Sequence, residues 1–106
     1  MITFDEFKKL EIVVARIISV REHPNADKLF ILEVDTGESK KEIVAGIKNF
    51  YAKEELIGKN IVLANNLEPA IIRGVESKGM LLAAEGESGI SIITPDKPVK
   101  AGSKIK

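Results

Sequence analysis

Residues 65–84 read Asn-Asn-Leu-Glu-Pro-Ala-Ile-Ile-Arg-Gly-Val-Glu-Ser-Lys-Gly-Met-Leu-Leu-Ala-Ala. An apolar, β-type run precedes this stretch at Ile61–Ala64, and another closes it at Met80–Ala84. Between them Pro69, Gly74 and Gly79 punctuate the backbone. Asn65, Asn66, Arg73, Ser77 and Lys78 carry groups that hydrogen-bond, and Met80 stands where the chain re-enters a strand. Two strands around a polar, Gly/Pro-shaped loop are how a rigid scaffold presents a binding site. The same make-up also serves an ordinary strand connection, and residue types alone leave both readings open.

Upstream of the loop, Lys59 to Asn65 reads as a strand. Before it, Asn49 to Ile57 carries a helical signal, because Ala52, Lys53, Glu54, Glu55 and Leu56 are good helix formers. Gly58 suits the residue just past a helix end, where a left-handed backbone is wanted. Phe50, Tyr51 and Leu56 are expected to plug the end of a barrel. Further back, Lys28 to Asp35 and Lys40 to Ala45 form a predicted hairpin across the turn Thr36-Gly37-Glu38-Ser39. Lys40 and Lys41 open the later strand, as solvated guards of a strand end or as phosphate contacts. The long run Ile12 to Val20 is apolar on both faces, which fits a barrel strand with something packed outside it. Thr3 to Lys9 is a predicted helix, with Thr3 and Glu6 spaced as a capping box. Phe4 and Phe7 share its face and must pack on the domain itself or on a partner subunit.

Downstream, Met80 to Glu85 and Ile90 to Thr94 are predicted strands around a turn at Gly86–Gly89. Lys97, Lys100, Lys104 and Lys106 follow Asp96 with no intervening acid, as a solubilising tail would. The whole chain, residues 1–106, reads as one domain, and the start at Met1 leads us to expect a complete small protein.

Composition narrows the function. Sixteen Lys and Arg balance 16 Asp and Glu, so nothing global draws the chain to polyanions, and such binding needs a local patch. Aromatics make up 5% with no Trp, which rules out a broad aromatic platform for stacked bases. The absence of Cys removes disulfides, thiolate catalysis and cysteine metal sites, and fits a cytoplasmic protein. No apolar run approaches the ~20 residues that span a membrane. His23, the one histidine, lies beside Pro24 in a turn-rich segment and is read as a turn residue, not a catalytic base. No motif of nucleophile or phosphate-cradling loop is present, so no catalytic residue, metal ligand or cofactor is assigned.

Three strands, a short helix and two further strands follow the order of an oligonucleotide-binding (OB) fold. That fold is a five-stranded Greek-key barrel with its helix between strands three and four. The expected class is therefore all-β with short helices, and the additional residues at both ends are expected to pair two barrels.

His23-Pro24-Asn25-Ala26-Asp27-Lys28-Leu29 resembles a signature of the tRNA-binding domain family. So do Ile43-Val44-Ala45-Gly46-Ile47 and the run from Phe50-Tyr51 through Glu54-Glu55-Leu56 to Gly58-Lys59. Asn66-Leu67-x-Pro69 and Gly74-Val75-Glu76-Ser77-x-Gly79-Met80 complete the ordered set. The resemblance spans about Phe4 to Ile105. It is strongest to the C-terminal appendix of methionyl-tRNA synthetases, here as a separate beta-subunit-like chain.

This resemblance implies a homodimer that grips tRNA by shape, assists a synthetase catalytic subunit and performs no catalysis. It places Ser77 and Met80 at the RNA, with Asn66, Arg73 and Lys78 nearby. Lys40, Lys41 and Lys48 are the other basic candidates. The family often has lysine where this chain has Glu68 and Ile71, which removes positive charge beside the expected site. A peptide-binding, chaperone-like dimer of the same family is the competing expectation, and Ile71 suits its apolar groove.

Overall fold

The computed structural model describes residues 1–106. Helix α1 (Phe4–Lys8) leads into β1 (Ile12–Glu22), β2 (Phe30–Asp35) and β3 (Lys40–Ala45). The one-turn helix α2 (Lys53–Leu56) precedes β4 (Asn60–Ala64). The hairpin β5 (Ala70–Ile72) and β6 (Val75–Ser77) comes next, then the two-residue β7 (Met80–Leu81). A last hairpin joins β8 (Ala83–Gly86) to β9 (Gly89–Ile92). The main sheet has five strands in the order β3-β2-β1-β4-β7, antiparallel throughout. It curls until its edge strands approach each other, giving a partly open, barrel-like all-β fold. At that seam the Lys78 N–H donates to the Glu42 carbonyl at 3.0 Å.

The core follows from a period of two. Val13, Ala15 and Ile17 of β1 point inward with Leu32 and Val34 of β2, Ile43 and Ala45 of β3, and Ile61 and Leu63 of β4. The outer face of β1 is also apolar where it pairs with β4. Val14 lies opposite Val62, and both are buried. The expectation of a strand covered on both sides therefore holds for this half of β1. Leu82, Ile93, Val99 and Ile105 line a groove of about 490 Å³ with these two valines.

Several expectations need correction. The predicted helix over Asn49–Ile57 shrinks to Lys53–Leu56 because Ala52 is extended, with ψ 151°. Phe50 does not plug the barrel: it is 47% exposed, whereas Leu56 is fully buried and Tyr51 packs partly against the core. The strand expected over Met80–Glu85 is interrupted at Leu82, after which the chain leaves the main sheet to pair with β9. The stretch after Asn65 is not all loop, since it contains the β5–β6 hairpin.

The C-terminal segment, expected as a solubilising tail, also has a structural part. Beyond the end of β2 it takes up the edge of β1. The Gly102 N–H donates to the Val14 carbonyl at 2.8 Å, the Val14 N–H to Ser103 at 2.8 Å, and the Ile105 N–H to Ile12 at 2.9 Å. The β2–β3 turn fits closely beneath it. At Gly37, with φ +88°, a Cβ would stand 2.6 Å from the Ala101 carbonyl oxygen.

Candidate nucleic-acid interface

The sequence-derived candidates fall at two ends of the β3 region. At one end lies the seam between β3 and β7. Lys41 has the inward register of Ile43 and Ala45 but sits at the mouth of the barrel, where its Nζ donates to the Asn65 carbonyl at 3.0 Å. Burial holds its ammonium below the ordinary lysine range. Glu11 opposes that shift and the Lys78 charge adds to it, so the two amines feel each other across the seam. Lys40 is exposed beside Lys41. Met80 is half-exposed and pairs with Ala64 of β4. The Lys78 side chain reaches Glu76 only at 3.7 Å, a surface pair of little energetic weight. Lys41, Lys78 and Met80 thus gather into one small edge with two amines and an apolar contact, while Lys40 has the opposite register and faces outward from the same strand end.

Ser77 lies beneath this edge. It is 3% exposed, and its hydroxyl is used twice within the fold. It accepts from the Val44 N–H at 2.9 Å and donates to the Gly79 carbonyl at 3.0 Å. A phosphate contact from this hydroxyl, as the resemblance implies, would need both bonds to give way. In the present geometry Ser77 holds β3 to the Lys78–Met80 turn.

Asn66 is likewise committed to the fold. Its Oδ1 accepts from the Glu11 N–H at 2.7 Å and its Nδ2 donates to the Lys9 carbonyl at 2.7 Å. Asn65 adds a bond from its Nδ2 to Glu11 Oε1 at 2.7 Å. The two asparagines clasp the segment that joins α1 to β1. Asn66→Ala is therefore expected to cost about 1–2 kcal/mol, because these bonds are solvent-exposed and modest in net worth. Faster amide exchange confined to residues 3–11 is the signature to look for. Unchanged exchange there would show that the clasp does not hold α1.

The other end is built from the His23–Asp27 segment and the β5–β6 hairpin. Arg73 and Gly74 make the turn with φ +51° and +90°, the left-handed pair that matches strand twist in a two-residue hairpin. Arg73 Nη2 donates to the Asn25 carbonyl at 3.0 Å. His23 is buried. Its Nδ1 accepts from the Asn25 N–H at 3.0 Å, which leaves Nε2–H to donate to the Ile72 carbonyl at 2.9 Å. His23 is thus a clasp between loop and hairpin, in line with its reading as a turn residue.

Lys48 also sits at this end, where its Nζ is 3.0 Å from Glu22 Oε1. The hydrogen bond and charge of Lys48, with a smaller contribution from the Lys53 charge, lower the Glu22 carboxyl below its ordinary range. Lys48 and Lys40 are separated by the length of β3, roughly 17 Å for a six-residue strand. The structure therefore groups Lys41, Lys78 and Met80, sets Lys40 on the opposite face of the same strand end, and leaves Arg73 and Lys48 apart from them. Sequence reading missed the hairpin because Arg-Gly replaces the usual Asn-Gly turn signal, although Ile71, Ile72 and Val75 around it were visible strand formers.

The family described as "Putative tRNA binding domain" matches residues 12–104. The chain belongs to the putative tRNA-binding domain family. Among curated relatives, the methionine–tRNA ligase of Nanoarchaeum equitans is 48% identical over all 106 residues. The chain spans only 14% of that protein's length. Among solved structures, a MetRS-related protein from Pyrococcus horikoshii superposes with TM-score 0.92 at 34% identity, covering 100% of this chain and 98% of that one. A CsaA chaperone protein from Picrophilus torridus superposes with TM-score 0.93 at 34% identity, with complete coverage of both chains. Membership in the tRNA-binding domain family points to a binding domain.

Proposed function

We propose that this chain is a structure-specific tRNA-binding accessory to methionyl-tRNA synthetase, acting in the cytoplasm as a beta-subunit-like homodimer without catalysis. The observation that carries this reading is the unbroken likeness, from end to end, to a segment of methionine–tRNA ligases. The edge of Lys41 and Lys78 supplies phosphate contacts, with Lys40 adding charge from the outer face of the same strand end and Met80 set against a base or sugar. Arg73 and Lys48 add charge at the far end of β3. Ser77 and Asn66 act by holding the segments that present this edge. The fold serves as an oligonucleotide-binding barrel.

The dimer is assigned to the terminal additions. The apolar groove over β1 and β4 continues toward Phe4, Leu10 and Ile105, which are exposed. Burying these residues against a second copy gains roughly 25 cal/mol per Å². Pairing also places two weak RNA edges on one particle, which raises avidity without new contacts. That gain matters in a chain with no net charge and with Glu68 and Ile71 beside the site.

The test is a gel shift with mixed tRNA across a salt series. With roughly four phosphates neutralised, affinity is expected to fall about 100-fold between about 50 and 200 mM salt. A flat response, or no shift at low salt, counts against the reading. A monomer in sedimentation would remove the dimer.

A second reading has its own support. Ile71 is 69% exposed and Met80 50%, and the likeness to a CsaA chaperone protein is equally complete. On that reading the chain captures apolar segments of unfolded polypeptide. Binding of denatured protein without any tRNA shift would select it.

A further inference from the structure

We propose a second site, floored by Phe50, that takes an unpaired, amino-bearing nucleobase of RNA. The proposal rests on the RNA-binding reading above and adds to it a place and a chemistry. A groove of about 530 Å³ lies between the segment before α2 and the β8–β9 turn. Lys28, Asn49 and Phe50 line one side, and Glu85, Glu87 and Ser88 the other. It shares no lining residue with the grooves at the chain termini.

Phe50 is built as a floor. Gly89, with φ +139°, presses on the ring so closely that a Cβ there would stand 2.8 Å from both Cδ1 and Cε1. The ring is supported from that side, yet the residue remains 47% exposed. An exposed aromatic surface backed on one side is what a base stacks on, and stacking tolerates any base.

The walls add direction. Lys28 and Lys48 are neighbours, since the Lys48 N–H bonds to the Lys28 carbonyl at 3.4 Å. Lys48 is engaged with Glu22, while none of the three ion pairs of the chain uses Lys28, Glu85 or Glu87. A free ammonium suits a phosphate. Free carboxylates repel a phosphate but accept hydrogen bonds from exocyclic amines. Such amines occur on adenine, guanine and cytosine, whereas uracil offers two carbonyls and a single N–H. A basic wall, an aromatic floor and an acidic wall together fit one nucleotide lying across the groove. Neither a plain anion nor an apolar chain matches all three.

The experiment uses a single-stranded RNA of roughly eight nucleotides carrying 2-aminopurine, read by fluorescence, beside the mixed-tRNA gel shift. The unaltered chain is expected to quench the probe. Phe50→Leu is expected to weaken binding roughly 5- to 100-fold while Phe50→Tyr retains it, with melting curves showing that both fold. The double change Glu85→Gln, Glu87→Gln lies on the surface, and it is expected to erase a preference for oligoadenylate over oligouridylate. Equal binding by Phe50→Leu and the unaltered chain, or no preference to erase, overturns the proposal. A tRNA shift without quenching overturns the proposal alone. Loss of both signals removes the RNA reading with it.

Discussion

Leu56→Ala is expected to lower stability by about 2–5 kcal/mol, the largest effect of any change suggested by this structure. Leu56 belongs to a helix of a single turn, which cannot stand alone. What keeps that turn in place is its one fully buried side chain, set in the core cluster among residues such as Ile17 and Ile61. Truncation to Ala opens a cavity at the end of the barrel and removes the anchor of α2 at once. In a domain of this size the loss corresponds to roughly 10–30 °C in Tm. A fall of only a degree or two in a thermal melt would show that the barrel end repacks without it.

Ser77→Ala is expected to cost about 1–3 kcal/mol, because the Val44 N–H is then left unpartnered at a buried site. The expected separation is a lower Tm with an unchanged tRNA shift, measured well below the melt. Lys78→Ala is expected to do the opposite, weakening the shift at unchanged Tm, since its side chain is exposed and its Glu76 pair is loose. Loss of tRNA binding in a folded Ser77→Ala chain would return the hydroxyl to the RNA.

The β architecture was legible because its strands alternate with period two and its turns carry Gly, Pro and Asp at the ends of apolar runs. Lys40–Ala45 was read to the residue, and the capping box of Thr3 and Glu6 is present as the spacing suggested. The site was less legible. Ser77, Asn66 and His23 look alike on paper to residues that meet ligands, because a side chain able to bind RNA is equally able to bind backbone. What separates them is the partner at hydrogen-bond distance, which lies 33 positions away for Ser77 and up to 57 for Asn66. Spacing within a motif carries no trace of such remote partners. Phe50 shows the converse. An aromatic residue in an apolar neighbourhood reads as core, yet Phe50 is left half-exposed, with Gly89 close against one side of its ring.

The edge contact made by Gly102, Ser103 and Ile105 has a consequence for how the polypeptide matures. The opening residues of β1 leave the ribosome well before the backbone that pairs with them. Until it arrives, a short row of amide and carbonyl groups faces outward beside apolar Val14, an invitation to cross-chain pairing among nascent molecules. Residues 102–105 therefore act as a latch that ends this vulnerable interval.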